Sequence, residues 1–282
     1  MIKIICTVFS LLLLAAMVNA GSNNARHFTE QDLKKYKGNT ETQKSEIADS
    51  DAYNSLNTDS PTQGEALKQL KRYVIPYNPY EGSARRIIIP VTFNNRITAP
   101  MLLDTGAPGM QISYSLAEKL GILEDEDGKL SIMVSGVGGA APALLTIIDE
   151  ISVGQAKSHF VPTIISRPIS LSFEGLVGMD FMAKYSVQID TKRHVLYLDE
   201  LPDSPDTPAG HDEEWWRLNF HNFKSLRHNL QQYRDRLYSL NNDSGKIKKL
   251  REFADRQYDE ANSMLDRLRV YASENSVPLQ WR

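Results

Sequence analysis

A single aspartate in a glycine-containing loop is the residue of this 282-residue chain whose setting suggests chemistry. The apolar run Met101-Leu102-Leu103 leads directly into Asp104-Thr105-Gly106-Ala107. An aspartate at the end of a buried strand has its position fixed by the sheet beneath it. Two such carboxyls about 3 Å apart cannot both ionise, so they share one proton. One can then act as a base on water and the other as an acid toward a carbonyl, which is a route to peptide hydrolysis.

The residues after Asp104 suit this chemistry by type. We expect Thr105 to turn inward and hydrogen-bond across the axis between two such loops. Gly106 permits a sharp turn with its amide close to the carboxylate, and Ala107 is small enough to leave room for a substrate. The motif occurs once, and an Asp-Thr-Gly tripeptide is expected by chance in about one chain in twenty of this length. Its sequence context must therefore carry the assignment, and the second carboxyl must come from a second copy of the chain.

That context contains a second signature, Leu176-Val177-Gly178, which lies downstream. Between the two signatures, the Gly-rich residues 135–140 are flanked by the apolar runs 130–134 and 143–148. Glycines between two strand-like runs are typical of a hairpin. On these motifs, residues 85–198 resemble the retropepsin-like aspartic proteases, the single-lobed relatives of pepsin. The resemblance implies a mainly β fold, namely a closed acid-protease barrel with a flap hairpin.

The resemblance also implies roles for individual residues. Asp104 would be the catalytic residue, and Thr105, Gly106 and Ala107 would form the active-site loop. No metal or organic cofactor is implied. The implied flap and substrate-binding residues are Gly136, Val137, Gly138 and Gly139, and the implied support loop beneath the aspartate is Leu176, Val177 and Gly178.

Two other aspartates and one departure bear on this assignment. Pro108 and Gly109 stand where retroviral enzymes have acidic residues that bind the substrate backbone, so those binding details do not carry over. Asp190 precedes Thr191-Lys192, without the glycine of the motif, and ordinary turn chemistry favours it as a turn residue. Asp180 lies just beyond the second signature, where family analogy favours a structural role. Neither is expected to supply the second carboxyl.

The N-terminal part of the chain predicts export. Residues 1–20 combine Lys3, the apolar run 4–18 and small residues up to Ala20, which is typical of a cleaved secretory signal peptide. An uncleaved N-terminal membrane anchor is the alternative. Cys6, the sole cysteine, lies in this segment, so the mature chain would have no disulfide. Residues 21–72 are polar with few large apolar side chains and are expected to be largely disordered, as a linker or a propeptide.

The C-terminal third changes character after the predicted protease domain at residues 73–199. A Pro-rich linker is predicted at 200–211, a helical hairpin or coiled coil at 212–275, with Ser244 as a cap, and a tail at 276–282. Such helices could strengthen dimerisation or engage a protein partner. The apolar stripes have helical spacing: Trp216, Phe220, Phe223, Leu226, Leu230, Tyr233, Leu237 and Leu240, then Ile247, Leu250, Ala254, Tyr258, Ala261, Leu265, Leu268 and Ala272.

These observations predict an exported, periplasmic or secreted aspartic endopeptidase that acts on a peptide or protein substrate as a homodimer. A net charge of −3 gives no indication of nucleic-acid binding, and no second run is long enough to span a membrane. His221 and His228 are seven residues apart, but solvated surface histidines are favoured over a metal site. The competing hypotheses are a catalytically weak or inactive periplasmic scaffold protein and an enzyme that processes only its own N-terminal segment.

Overall fold

A computed structural model describes residues 70–124, 129–136, 139–202, 204–242 and 244–282. The predictions for residues 1–20 and for 21–69 fall outside these ranges. Eleven strands precede the long helices in the described part of the chain. They are β1 (Arg72–Pro76), β2 (Asn78–Glu81), β3 (Ala84–Phe93), β4 (Ile97–Leu103), β5 (Met110–Ser113), β6 (Leu130–Gly136), β7 (Gly139–Val153), β8 (Ala156–Ser166), β9 (Gly175–Val177), β10 (Tyr185–Asp190) and β11 (Val195–Glu200).

The strands form two sheets. The larger has the order β2-β3-β4-β9-β5-β8-β7-β6, and the smaller has the order β1-β11-β10. A further pairing of Thr92 with Ser152 and of Phe93 with Ile151 joins β3 to β7. Hydrogen-bonded neighbours therefore run from β3 through β4, β9, β5, β8 and β7 back to β3. We call the described residues up to 200 the β domain.

Local sequence explains the tight hairpins that connect these strands. Asn94 and Asn95 have φ angles of 48° and 52° between β3 and β4, and asparagine tolerates this left-handed conformation better than most residues. Gly154, with φ 61°, begins the two-residue turn between Val153 and Ala156. Turns of this handedness match the twist of the strands that they connect.

The core of the β domain lies between the two sheets. Ile75 and Leu196, which are paired partners on β1 and β11, are buried with Val91, Met101 and Ile112 of the larger sheet. Strands β1 and β2 precede residues 85–198, the segment on which the family resemblance rests. The strand β1 forms because it pairs with a segment more than a hundred residues away, which local patterning does not indicate.

Four helices are described. Two are short, α1 (Tyr114–Lys119) and α2 (Met179–Met182), and two are long, α3 (Glu213–Ser239) and α4 (Gly245–Glu274). Asp212 caps α3 by accepting a hydrogen bond from the Trp215 amide at 2.8 Å. Ser244 stands at the predicted N-cap position of α4, but its side chain makes no capping hydrogen bond.

The long helices pack on each other and on the outer face of the β domain. Leu130, Ile147 and Phe160 of the strands share one buried cluster with Trp216 and Leu268 of the helices. The Phe160 and Tyr271 rings stack with centroids 4.9 Å apart. The guanidinium of Arg267 donates to Asp149 at 2.7 Å. The apolar stripe of the helices is thus covered largely within one chain, which leaves a role in self-association as a prediction.

The segments at either end of the helical domain, which we define as residues 212–282, are also folded. Pro208–Gly210 forms a short 3-10 turn, and His211 is buried. The indole of Trp216 donates to the Pro208 carbonyl at 3.3 Å. At the other end, Arg282 donates to the Val277 carbonyl. The mainly β fold followed by a C-terminal helical region is confirmed, whereas the closed barrel and the flap remain predictions.

Candidate active site

Asp104 directly follows β4, and the turn after it holds its carboxylate. Its main-chain amide donates to the Val177 carbonyl at 3.0 Å, and its own carbonyl accepts from the Ala107 amide at 3.2 Å. The Gly106 amide donates to Asp104 Oδ1 at 2.8 Å. The Asp104 side chain is half-buried, and Thr105 and Gly106 are exposed. The strand and turn therefore fix the carboxylate at an accessible position.

The predicted support loop lies against this turn. Strand β9 inserts between β4 and β5, with Leu176 paired in parallel with Leu102 and antiparallel with Gln111. A Cβ on Gly178 would be 2.5 Å from the carbonyl oxygens of Ala107 and Gly109. Only glycine permits so close a backbone approach. The structure therefore brings the Asp104 loop and the support loop into direct contact.

The start of α2 holds the other end of the Asp104 loop. The Met179 amide donates to the Ala107 carbonyl at 2.9 Å, and the Asp180 amide donates to the Pro108 carbonyl at 2.9 Å. These amides belong to the first helical turn, whose N–H groups have no partner within the helix. The loop carbonyls satisfy them, and α2 in return fixes the path of the chain beyond Ala107.

The side chain of Asp180 points toward a buried polar cluster that the sequence did not predict. Asp180, His211 and Trp215 line a small cavity that Gly178 also lines. Burial raises the pKa of the Asp180 carboxyl, and the Trp215 indole and the Lys184 ammonium oppose this shift. Burial also lowers the pKa of Lys184 to about 8, with Asp180 acting in the opposite direction. Asp180 thus lies behind the candidate site, in line with the structural role expected for it.

Two further contacts hold the side chains of this cluster in place. The rings of His211 and Trp215 are stacked with centroids 3.6 Å apart. The ammonium of Lys184 donates to the Ser158 hydroxyl at 3.0 Å. The adjacent tryptophans at 215 and 216 were the one sequence signal for a packed junction, because no spacing rule connects an aspartate at 180 with a histidine at 211.

Two of the predicted flap residues, Gly136 and Gly139, end the paired part of strands β6 and β7. Strands β6 and β7 pair from Leu130 with Leu145 as far as Gly136 with Gly139. Val137 and Gly138 lie outside the described residues. The side chains of residues 140–142 are exposed, whereas Leu130 at the base of the hairpin is buried. Closure of this hairpin over a substrate stays a prediction.

Asp190 has the turn role that the sequence predicts. It ends β10, in the smaller sheet, and its Oδ1 accepts from the amides of Lys192 and Arg193, both at 2.9 Å. The hydrogen bond from the Arg193 amide is the main cause that lowers the pKa of the Asp190 carboxyl. Asp104 follows a strand of the larger sheet, so the two aspartates stand on different sheets.

The described residues show no metal-binding cluster. No group of three or more His, Cys, Asp or Glu side chains among them is arranged to hold a metal ion. His228 Nε2 lies 2.9 Å from the amide nitrogen of Gln232. No described helix is both long and apolar enough to cross a bilayer.

Comparison with known families identifies the domain that carries this site. Residues 89–181 match the model of the aspartyl protease family, a span that includes both Asp104 and Gly178. The β domain is thus an aspartyl-protease-like domain, in agreement with the predicted resemblance to the retropepsin-like aspartic proteases. The contact described above between the Asp104 loop and the support loop therefore lies within this domain.

Two curated relatives of this aspartyl protease domain are much longer proteins. The chain is 24% identical over 156 residues to DNA damage-inducible protein 1 of Kluyveromyces lactis, covering 54% of this chain and 36% of the relative. It is 31% identical over 125 residues to the protein DNA-DAMAGE INDUCIBLE 1 of Arabidopsis thaliana, covering 43% of this chain and 29% of that protein. The chain thus spans about a third of the length of these relatives.

A solved structure is also similar to the aspartyl protease domain. It is a retropepsin-like aspartic protease from Rickettsia conorii, which is 16% identical in sequence. The superposition covers 49% of this chain and 98% of that structure, with a TM-score of 0.37.

Proposed function

We propose that this protein is an exported aspartic endopeptidase that is active as a homodimer. Asp104 of each chain contributes one carboxyl to a pair that shares a proton. The ionised carboxyl takes a proton from water as the water oxygen attacks the peptide carbonyl. The protonated carboxyl gives its proton to the carbonyl oxygen. The first carboxyl then gives the proton it took from water to the peptide nitrogen, the C–N bond breaks to release the amine, and the second carboxyl takes back a hydroxyl proton as the carboxylic acid product forms. The substrate lies between the closed barrel and the hairpin residues 135–140, which exclude water.

The observation that carries this proposal is the presentation of Asp104. Its carboxylate is half-buried and accepts the Gly106 amide at 2.8 Å, on a loop held from below by β9 and α2. A site of this kind positions one carboxyl without help from flexible side chains.

The homodimer follows from the number of carboxyls at this loop. Asp180 faces the cavity behind the loop, and Asp190 lies in the other sheet. Thr105 is exposed in one chain, where it is available to a second copy. The second carboxyl is therefore assigned to Asp104 of the partner copy.

The first experiment measures cleavage of a labelled peptide library by wild type and by Asp104→Asn. The wild-type protein should cleave, a pepstatin-type inhibitor should block it, and the variant should be inactive at unchanged melting temperature. The side-chain oxygen of the introduced asparagine can still accept the Gly106 amide, so the fold has no reason to change. Cleavage by purified Asp104→Asn would refute the assignment. Absence of cleavage by wild type would favour a binding or scaffold role instead.

A mixing experiment tests the two-chain site. Wild type and Asp104→Asn are unfolded together at equal amounts and refolded, so that chains pair at random. If each site needs two Asp104 carboxyls, only dimers of two wild-type chains are active, which is about one quarter of randomly paired dimers. If each chain acts alone, about one half of the wild-type activity remains. Activity near one half of the wild-type value would contradict the shared site.

Export is part of the proposal and has its own test. The apolar residues 4–18 and the small residues up to Ala20 support a cleaved signal peptide. Mass spectrometry of the mature protein from the periplasm or medium should find Gly21 as its first residue. Retention of residues 1–20 in a membrane fraction would favour an N-terminal anchor. A new N-terminus well beyond Gly21 that is absent in Asp104→Asn would indicate self-processing.

A further inference from the structure

A buried glutamine of helix α4 is bonded to the backbone of the hairpin strand β6. The Oε1 atom of Gln257 accepts from the Ser131 amide at 2.7 Å, and its Nε2 atom donates to the Lys129 carbonyl at 3.1 Å. Gln257 is only 7% exposed. Its two partners are one acceptor and one donor, so the carboxamide fits in a single orientation, because the reverse would place donor against donor.

The bonded groups lie on the open edge of the sheet. Strand β6 is the last strand of the larger sheet, with β7 as its neighbour on one side. Alternate residues of an edge strand direct their N–H and C=O groups away from the paired strand, and these groups otherwise need water or another strand. Residues 129 and 131 are two apart, so the Gln257 carboxamide satisfies the outward groups as a neighbouring strand would.

The surrounding residues bring α4 close enough for these bonds. Ala254 and Ala261 lie three residues before and four residues after Gln257, on the same helical face. They are 0% and 1% exposed, and such small side chains allow the helix to approach the strand. Leu130, between the two bonded residues, is buried in the cluster that the helices form with the strands. The base of the hairpin is therefore fixed by packing on one side and by Gln257 on its edge.

The described residues of the hairpin nearer its turn are more exposed. Ala140, Ala141 and Pro142 are exposed, whereas Ala143 is the first buried residue of β7 after the turn. The hairpin thus has an anchored base, and its described residues become exposed toward the turn. The position of its end depends on how firmly the base is held.

We propose that Gln257 is a positioning residue for the hairpin that covers the substrate, fixing the outer edge of β6 to the helical domain. This inference rests on the proposed function, because it assigns a purpose to the hairpin in peptide binding. The helical domain then contributes to substrate affinity without touching the substrate. Contacts from the hairpin that form equally in the bound complex and in the transition state affect KM rather than kcat.

The test compares Gln257→Met, Gln257→Glu and the control Gln231→Met in the full chain. Methionine keeps the length of the side chain and removes both hydrogen bonds. Glutamate keeps the acceptor for the Ser131 amide and loses the donor to the Lys129 carbonyl. Gln231 is exposed on α3, so its replacement repeats the chemical change without the contact. Circular dichroism and melting temperature confirm that each variant is folded.

Three quantities are measured for each protein. They are amide hydrogen exchange at Ser131, kcat and KM for a cleaved peptide, and the dissociation constant of a pepstatin-type inhibitor. Gln257→Met should speed exchange at Ser131 and raise KM and the inhibitor dissociation constant about three- to tenfold, the range expected for a lost buried hydrogen bond. The value of kcat should stay within about twofold of wild type. Gln257→Glu sets a carboxylate oxygen against the Lys129 carbonyl oxygen, so KM and the inhibitor dissociation constant should rise at least as much as in Gln257→Met. Gln231→Met should match wild type.

The outcomes separate this proposal from simpler ones. Partial unfolding would lower kcat in proportion to active enzyme at unchanged KM, and would overturn the positioning role. Faster exchange at Ser131 with unchanged KM would also overturn it, since Gln257 would then only join helix to sheet. Unchanged exchange in Gln257→Met would show that the hydrogen bond has no effect. If wild type neither cleaves nor binds the inhibitor, the proposed function fails, and the positioning role fails with it.

Discussion

The main-chain amide of Asp104 donates a hydrogen bond to the carbonyl oxygen of Val177 at 3.0 Å. This bond joins the two signatures of the chain, which are far apart in sequence. It continues the parallel pairing of Leu103 with Val177, so the candidate catalytic residue takes its position from β9 as well as from β4. The position of Asp104 therefore depends on how closely β9 and the residues after it approach the loop.

Gly178→Ala should disturb this approach. The added Cβ would lie 2.5 Å from the carbonyl oxygens of Ala107 and Gly109, which are backbone atoms that cannot rotate away. Overpacking of this kind costs about 1–3 kcal/mol of unfolding free energy. We expect a loss of that size in urea denaturation, together with a large fall in kcat, because the shifted backbone carries the Asp104 loop.

Gly245→Ala is the matched control for this substitution. A Cβ at Gly245 meets no atom within 4 Å. Gly245 begins α4, and alanine restricts the unfolded chain more than glycine does, so the variant should be as stable as wild type or more so. A Gly178→Ala protein with the stability and kcat of the Gly245→Ala control would contradict the close packing of the two loops.

The sequence predicted the parts of the fold that local patterns encode. The apolar run before Asp104 forms β4, the glycines at 136 and 139 end the paired strands of a hairpin, and spacings of three and four correspond to the long helices. Each depends on residues near one another in the chain. The contact between Asp104 and Val177 was expected only through the family resemblance.

What the sequence could not predict depends on tertiary contacts. Strand β1 exists because Ile75 pairs with Leu196 and is buried beside it. Gln257 and His211 are polar residues, and nothing in their sequence neighbours indicates that they are buried. Their burial follows from the docking of the helices onto the outer face of the β domain.

His211 should make the stability of the protein depend on pH. Burial, and secondarily the Lys184 charge, lower the pKa of His211 well below its ordinary value of 6.5. As pH falls through 6.5, the imidazole of residue 211 takes up a proton in the unfolded chain but not in the folded chain. The contribution of His211 to the unfolding free energy is therefore complete above about pH 6.5 and is lost progressively below it. The loss approaches about 1.4 kcal/mol per pH unit for one group.

His211→Phe tests this dependence, since phenylalanine can still stack on Trp215 but carries no proton. The unfolding free energy of wild type, measured in urea at pH 7, 6 and 5, should fall more steeply than that of the variant. Asp180 faces the same cavity, and its raised pKa acts in the opposite direction in both proteins. His221→Phe, at an exposed position of α3, controls for the ring replacement. Equal slopes for His211→Phe and wild type would refute the prediction.

Leu268→Ala should reveal how much the helical domain contributes to stability. Leu268 is fully buried in the cluster shared by helices and strands. Truncation of a buried leucine to alanine typically costs about 2–5 kcal/mol. Leu218 is 54% exposed on α3, and Leu218→Ala should change the unfolding free energy by no more than about 0.5 kcal/mol.

The variant at the exposed position, Leu218→Ala, also tests whether the helices secure the dimer. Deleting residues 212–282 would uncover Leu130, Ile147 and Phe160, so loss of a dimer in that truncated protein would not separate association from folding. Analytical ultracentrifugation of Leu218→Ala is cleaner, because its side chain is exposed in one chain. A wild-type dimer mass would argue against that part of the helical surface as the dimer contact.

Asp190→Asn and Asp190→Ala distinguish a turn residue from a second catalytic carboxyl. Asparagine can still accept the Lys192 and Arg193 amides through its side-chain oxygen, whereas alanine cannot. We expect only Asp190→Ala to lower the melting temperature, and we expect both variants to keep kcat and KM within about twofold of wild type. The assay is the peptide cleavage that Asp104→Asn abolishes. Inactivity of a folded Asp190→Asn protein would place a second essential carboxyl within one chain and would remove the reason for a shared site.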